Sequence, residues 1–179
     1  MATVAQRLEI ERRKYEAMNV DEIPVWRAWL ALHAVEFDRF DYNVRIGQPT
    51  PVPPGTSDAV RRSVELSTML RIDAVAWQGV INEKLPAKIE TAAEIYAVFP
   101  LALATICEVK RYGSPANIGQ LVIYFAAWQR EFVEASTPKM RLIVDQFTPN
   151  ILPGVASAGI ILDKVEANFR DLRPIRPRP

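Results

Sequence analysis

Three residues carry the chemistry that this sequence offers: Asp73 in "RIDAVAW", and Glu108 and Lys110 in "ICEVKRYGSPANIGQLVIYFAAW". Each interrupts an apolar run of strand-forming residues. Charged side chains rarely enter a buried strand unless they are paired or put to use. Residues two apart on a strand face the same way, so Glu108 and Lys110 share one face, with Cys107 and Val109 on the other. If the strands bearing Asp73 and Glu108 pair, two carboxylates meet with an ammonium beside them. Two hard oxygen ligands, completed by waters and a backbone carbonyl, suit Mg²⁺. Bound Mg²⁺ polarises a phosphoryl oxygen and helps to activate a water, and Lys110 can orient that water or stabilise developing charge. The chemistry favoured is phosphodiester hydrolysis. The alternatives for Glu108 and Lys110 are a solvated edge strand or a structural ion pair.

The elements that must position these residues can be read along the chain. "DEIPVWRAWLALHAVEF" has Pro24 near a helix start, with Trp26, Leu30, Ala34 and Phe37 spaced as a core-facing stripe. "FDYNVRIG" alternates as a strand, and "QPTPVPPG" is a stiff connector. Ser57 can cap a helix to about Leu70, and "RIDAVAW" is a short apolar strand. Residues 79–100 fit no single pattern: "KIETAAEIYAVF" reads as a helix, whereas "VINEKL" reads as the start of a hairpin. "LATICEVK" is a strand. Ser114 and Pro115 open a helix to about Ala135, followed by a strand in "MRLIVDQF", a short helix ending at Gly159 and a last strand in "IILDKV".

Composition narrows the functions. With 179 residues, 49% of them hydrophobic, the chain can build one domain with a substantial core. A formal net charge of +1 gives no global field toward nucleic acid or membrane. The single cysteine, Cys107, excludes an internal disulfide, and with one histidine, His33, it makes a His/Cys zinc site untenable. A Ser-His-Asp triad would have to use His33. The charged first residues do not read as a signal peptide, and no apolar run reaches the length of a membrane span.

The order strand-Asp, strand-Glu-x-Lys, helix-with-Gln resembles the PD-(D/E)XK nuclease superfamily over roughly residues 25–147. The resemblance implies an α/β fold with a mixed central sheet flanked by helices. Its first core helix is at 25–37, its meander at 38–47, 71–77 and 104–110, and its closing helix and strand at 115–135 and 141–147. It assigns catalysis to Asp73, Glu108, Lys110 and Gln120, with Mg²⁺ on Asp73 and Glu108, and offers Glu36 as a further acid on the first helix. Two departures stand out: Ile72 replaces the usual proline before Asp73, and residues 79–102 form an insertion between the two acidic strands. More narrowly, "WRAWL", "FDRFDYNVRIG" and "EVKRYGSPANIGQLVIY" resemble small nuclease-fold proteins of tailed bacteriophages.

The resulting division is an N-terminal helical arm at 1–20, a nuclease-like domain at 21–167 and an Arg/Pro-rich tail at 168–179. Val4, Leu8, Tyr15 and Met18 form a thin stripe that suits docking on a partner. Among the basic residues, Arg111, Arg173 and Arg176 are candidates to touch nucleic acid, and the tail equally suits packing on a neighbouring subunit. The four tryptophans read as core, as does Cys107. Two functions follow. One is a nuclease fold used as a virion component near the head–tail junction, assembling through residues 1–18 and 168–179. The other is an active Mg²⁺-dependent DNA endonuclease. The implied location is a phage particle or the host cytoplasm.

Overall fold

A computed structural model describes residue 15 and residues 18–47 and 50–169. Pro24 lies in the first turn of helix α1 (Ile23–His33), which buries Trp26 and Trp29 completely, their rings stacked 4.8 Å apart. A 3₁₀ turn at Ala34–Glu36 leads into β1 (Arg39–Ile46). Ser57 caps α2 (Asp58–Thr68) by accepting from the Val60 amide at 3.5 Å, and β2 (Leu70–Gln78) follows. The unpatterned stretch forms a 3₁₀ turn at Asn82–Lys84 and the short α3 (Ala92–Tyr96) instead of a hairpin. Glu94 closes a capping box there, accepting from the Thr91 amide at 2.9 Å. Next come β3 (Leu103–Gly113) and α4 (Pro115–Glu131). The N-terminus of α4 is held as the sequence suggests, with Pro115 in its first turn and the Ser114 amide donating to Asn117 Oδ1 at 2.9 Å. Then β4 (Lys139–Phe147), a 3₁₀ turn at Pro149–Ile151, α5 (Leu152–Ser157) and β5 (Ile160–Lys164) complete the described chain.

The strands form one sheet in the order β1-β2-β3-β4-β5. The first three pair antiparallel, and β3-β4 and β4-β5 pair parallel. The architecture is therefore α/β: a five-stranded mixed sheet with helices packed on it, because parallel neighbours need a helical crossover. Two cores lie on opposite faces. On one, Ala104 and Ile106 of β3 meet Leu121, Tyr124 and Trp128 of α4. On the other, Cys107 and Val109 meet Trp26 and Trp29 of α1. All four tryptophans are fully buried, as expected of core residues. Tyr15 and Met18 correct the expectation of a partner-facing stripe. Both are buried on the α1 side of this same chain, and the Tyr15 ring packs edge-on to Tyr42 at 5.1 Å. Val4 and Leu8 lie outside the described residues.

Strand alternation inverts at one point in the sheet, and that point carries the site. Asn43 has φ +57°, the left-handed conformation that Asn tolerates through its short polar side chain. It would pair with Asp73, yet the β1-β2 ladder passes from Tyr42–Ala74 to Val44–Ile72 without them. As a consequence Ile72 and Val75 both enter the α4-side core, whereas strict alternation would send them to opposite faces. The β2-β3 ladder also ends there, at Ala74–Cys107, while β3 continues to Gly113 paired only with β4. β2 and β3 thus fork at Asp73.

The end of β3 is tight. A Cβ added at Gly113 would meet Val144 Cγ1 at 3.0 Å, Phe147 Cβ at 3.2 Å and Ile151 Cδ1 at 3.3 Å. The glycine lets β4 and the turn after it close against the strand that leads into α4. Gly113→Ala is expected to destabilise the fold by about 1–3 kcal/mol through overpacking, read as a lower urea midpoint with unchanged slope.

Candidate active site at the fork of the sheet

Strand parity sets Glu108 and Lys110 on the same side of β3, opposite the side of Cys107 and Val109, as two-residue spacing demands. Lys110 Nζ lies 2.9 Å from Asp73 Oδ2 and 3.0 Å from Glu108 Oε1. Asp73 is anchored across the fork, where its Oδ2 accepts from the Val109 amide at 3.3 Å in place of a ladder bond. The structure therefore unites Asp73, Glu108 and Lys110 as the sequence anticipated.

A fourth member was not anticipated. Glu22, just before α1, receives the Lys110 ammonium at 2.7 Å and is 3% exposed. The Asn19 amide and side chain hold it, donating at 2.7 and 3.0 Å. Its signal in the sequence is an acid two residues before Pro24, at a helix start. Glu36 does not join the cluster. It lies beyond the other end of α1, 2.6 Å from His33 and 3.4 Å from Arg141. The acid that approaches Lys110 therefore comes from the N-terminal side of α1.

Gln120 donates to the Tyr124 hydroxyl one helical turn on. Burial, and secondarily the Glu108 and Asp73 charges, push the Tyr124 phenol up to about 12 against the Gln120 bond, which lowers it. The pair therefore stands within electrostatic reach of the cluster, with Tyr124 as its inner member. Arg111 stacks over the Phe169 ring at 4.4 Å and over Tyr112 at 5.2 Å, and its Nε is buried without a hydrogen bond. That seat is a packing role for Arg111. Arg173 and Arg176 lie outside the described residues.

The electrostatics are unbalanced. Glu22, Asp73 and Glu108 face one ammonium, so full ionisation leaves two negative charges uncompensated. Burial raises Asp73, with Glu22 adding to the rise and Lys110 opposing it. Burial, then the Asp73 charge, pushes Glu108 from 4.5 to about 8. Burial acts to lower Lys110, but the Asp73, Glu108 and Glu22 interactions outweigh it and raise the ammonium above its ordinary value. Glu108 is fully buried, and neither of its oxygens accepts a hydrogen bond, because Lys110 approaches Oε1 closely but off line. Such a carboxylate takes a proton or a cation. Among the described residues, no group of three or more His, Cys, Asp and Glu side chains is gathered to hold a metal ion.

A pH dependence follows. Folded Glu108 binds its proton more tightly than the unfolded chain does, so raising pH through this window favours unfolding. Stability should fall as pH rises from about 4.5 to about 8, then level off. The slope should not exceed about 1.4 kcal/mol per pH unit for the one proton involved. Urea unfolding across this range measures it, and stability that rises throughout the window would contradict the assignment.

Comparison with protein-family models, with curated proteins and with solved structures returned no match. Among the described residues, no helix is long and apolar enough to cross a membrane.

Proposed function

We propose that the chain is a Mg²⁺-dependent DNA endonuclease of the PD-(D/E)XK type. The observation that carries this reading is the meeting of Asp73, Glu108 and Lys110 at the fork between β2 and β3. The order of α1, the β1-β2-β3 meander, α4 and parallel β4 supports it. Asp73 and Glu108 would hold the ion, and the two Glu108 oxygens without hydrogen bonds suit that task. When bound, Mg²⁺ supplies polarisation of a phosphoryl oxygen and a water of lowered pKa. Lys110 keeps its proton and offers a charged donor to oxygen that becomes more negative as the bond to phosphorus breaks. Glu22 holds that ammonium by accepting from it at 2.7 Å. Tyr124, held by Gln120, offers a neutral hydroxyl at the rim of the site.

A second reading has its own observation. Lys110 already lies within 3.0 Å of three carboxylates, so the cluster also works as an internal polar node that ties the N-terminal turn to the sheet. In this reading the nuclease fold is a virion building block near the head–tail junction, and the resemblance to phage-borne proteins supplies the setting. Neighbouring subunits would join through residues 1–18 and 168–179, although the burial of Tyr15 and Met18 leaves less of the first segment free.

Supercoiled plasmid incubated with the chain and Mg²⁺ or Mn²⁺ separates the two. The nuclease reading expects nicking that EDTA stops, together with Mg²⁺ binding by calorimetry. Neither cleavage nor binding would leave the building-block reading alone.

A further inference from the structure

A groove of about 620 Å³ opens where α4 ends, lined by Tyr96, Pro100, Leu101, Phe132 and Val133. Leu101 and Val133 are 84% and 79% exposed, much for apolar side chains that sit side by side. The Tyr96 and Phe132 rings pack 4.9 Å apart at its wall. Tyr96 Oη is buried there without a hydrogen bond of acceptable geometry. Two acids, Glu131 and Glu134, complete the lining. Glu131 spends one oxygen on the Gly47 amide at 2.6 Å and is flanked by Arg130, whereas Glu134 is exposed to solvent. An aromatic wall, exposed apolar side chains and acids at the rim make a receptor for a cationic, proline-rich strand.

The chain contains such a strand in its own sequence, "RDLRPIRPRP" at residues 170–179. In its sequence Pro174 and Pro177 recur three residues apart, as do Arg173 and Arg176. We propose that the groove receives residues 170–179 of a second copy of the chain, so that copies join head to tail.

Placement argues for a second copy. Phe169, the last described residue, sits in the core on the α1 face, under Arg111 near the far end of β3. The groove is on the α4 face, beside the start of β3. From Leu103 to Arg111 the strand alone covers about 26 Å. A fully extended 170–179 reaches at most about 36 Å, and an internal path would also have to round the sheet and its helices. The tail of a neighbour meets no such detour. A contact of this kind pairs two different surfaces, so it builds rings or filaments, or a closed pair where two copies exchange tails reciprocally.

Sedimentation velocity of the full chain tests the proposal, and it reads mass, so its outcome is separate from any cleavage. Self-association is expected to weaken as salt rises, since the arginines and acids meet near the surface. Glu134→Arg alone and Arg176→Glu alone should each weaken it at least about tenfold. An equimolar mixture of the two variants should regain it, because each supplies the intact surface that the other lacks. A synthetic peptide of residues 170–179 should compete. Circular dichroism checks that both variants fold. A wild-type chain that stays monomeric at every concentration, association indifferent to both reversals, or a mixture that fails to recover would each overturn the proposal.

Discussion

Glu108→Gln is expected to reduce Mg²⁺-dependent DNA cleavage by about 10²–10³-fold while leaving the protein about as stable as the parent near pH 4.5 and increasingly more stable as pH rises toward about 8. The opposite signs follow from one fact. Glu108 is buried beside Asp73, and its carboxyl holds a proton up to about 8. Above about pH 4.5 the carboxyl of the unfolded parent chain is ionised, so folding must take up a proton, whereas the amide is neutral in both states. At higher pH the native chain must ionise a carboxyl whose two oxygens lack hydrogen bonds, and the amide avoids that. Under the proposed nuclease function the same amide removes an anionic ligand for a hard divalent ion, so cleavage falls while stability does not. The check is cleavage and urea unfolding on the same preparations at pH 7 and pH 9. The decline of stability with pH should flatten in the variant. If cleavage survives the substitution, Glu108 is not a ligand; if stability collapses at pH 9, the charge balance drawn for the cluster is wrong.

Lys110→Ala should be the most damaging change to the fold among the site residues, destabilising it by about 3–5 kcal/mol near pH 8. The ammonium is the partner that Glu22, Asp73 and Glu108 share, at 2.7, 2.9 and 3.0 Å. Its removal leaves three carboxylates together with little water. They can escape by taking up protons, which becomes easier as pH falls, so the loss should shrink toward pH 5. It should also shrink when Mg²⁺ is added, if Asp73 and Glu108 bind the ion, since the cation replaces the missing charge. Cleavage should be lost at every pH. Thermal melts at two pH values, with and without Mg²⁺, separate these effects. A pH-independent loss that Mg²⁺ does not relieve would mean that Lys110 acts only through packing of its aliphatic stem.

Much of this fold is local, and local order is what the sequence alone determined. Ser57, Pro24 and the Ser114-Pro115 pair mark helix starts because capping and proline geometry act within a single turn. The strand character of "RIDAVAW" and "LATICEVK" comes from β-type residues in apolar runs. Glu108 and Lys110 share a side because a strand repeats every two residues, so half of the site was legible from one segment. Asp73 needed the further assumption that its strand pairs with β3, and the β2-β3 ladder bears that out.

What remained belongs to tertiary structure. Lys110 and Glu22 are separated by 88 residues, and no periodicity links a turn before a helix to a strand in mid-sheet. The resemblance alone offers Glu36, as an acid on the first helix, whereas it is the opposite end of α1 that brings Glu22 to Lys110. Nothing in the sequence signals that Gln120 donates to Tyr124, a core residue whose phenol feels the charges of the cluster. The inversion at Asn43 and Asp73 breaks the strand rule itself, and only pairing with both neighbours shows where the ladders part. Residue types and spacing determined which charges could act together. The crossing of α1 and the forking of β2 from β3 decided how deeply those charges are buried, and burial is what raises the proton affinity of Asp73 and Glu108 beside the Lys110 ammonium.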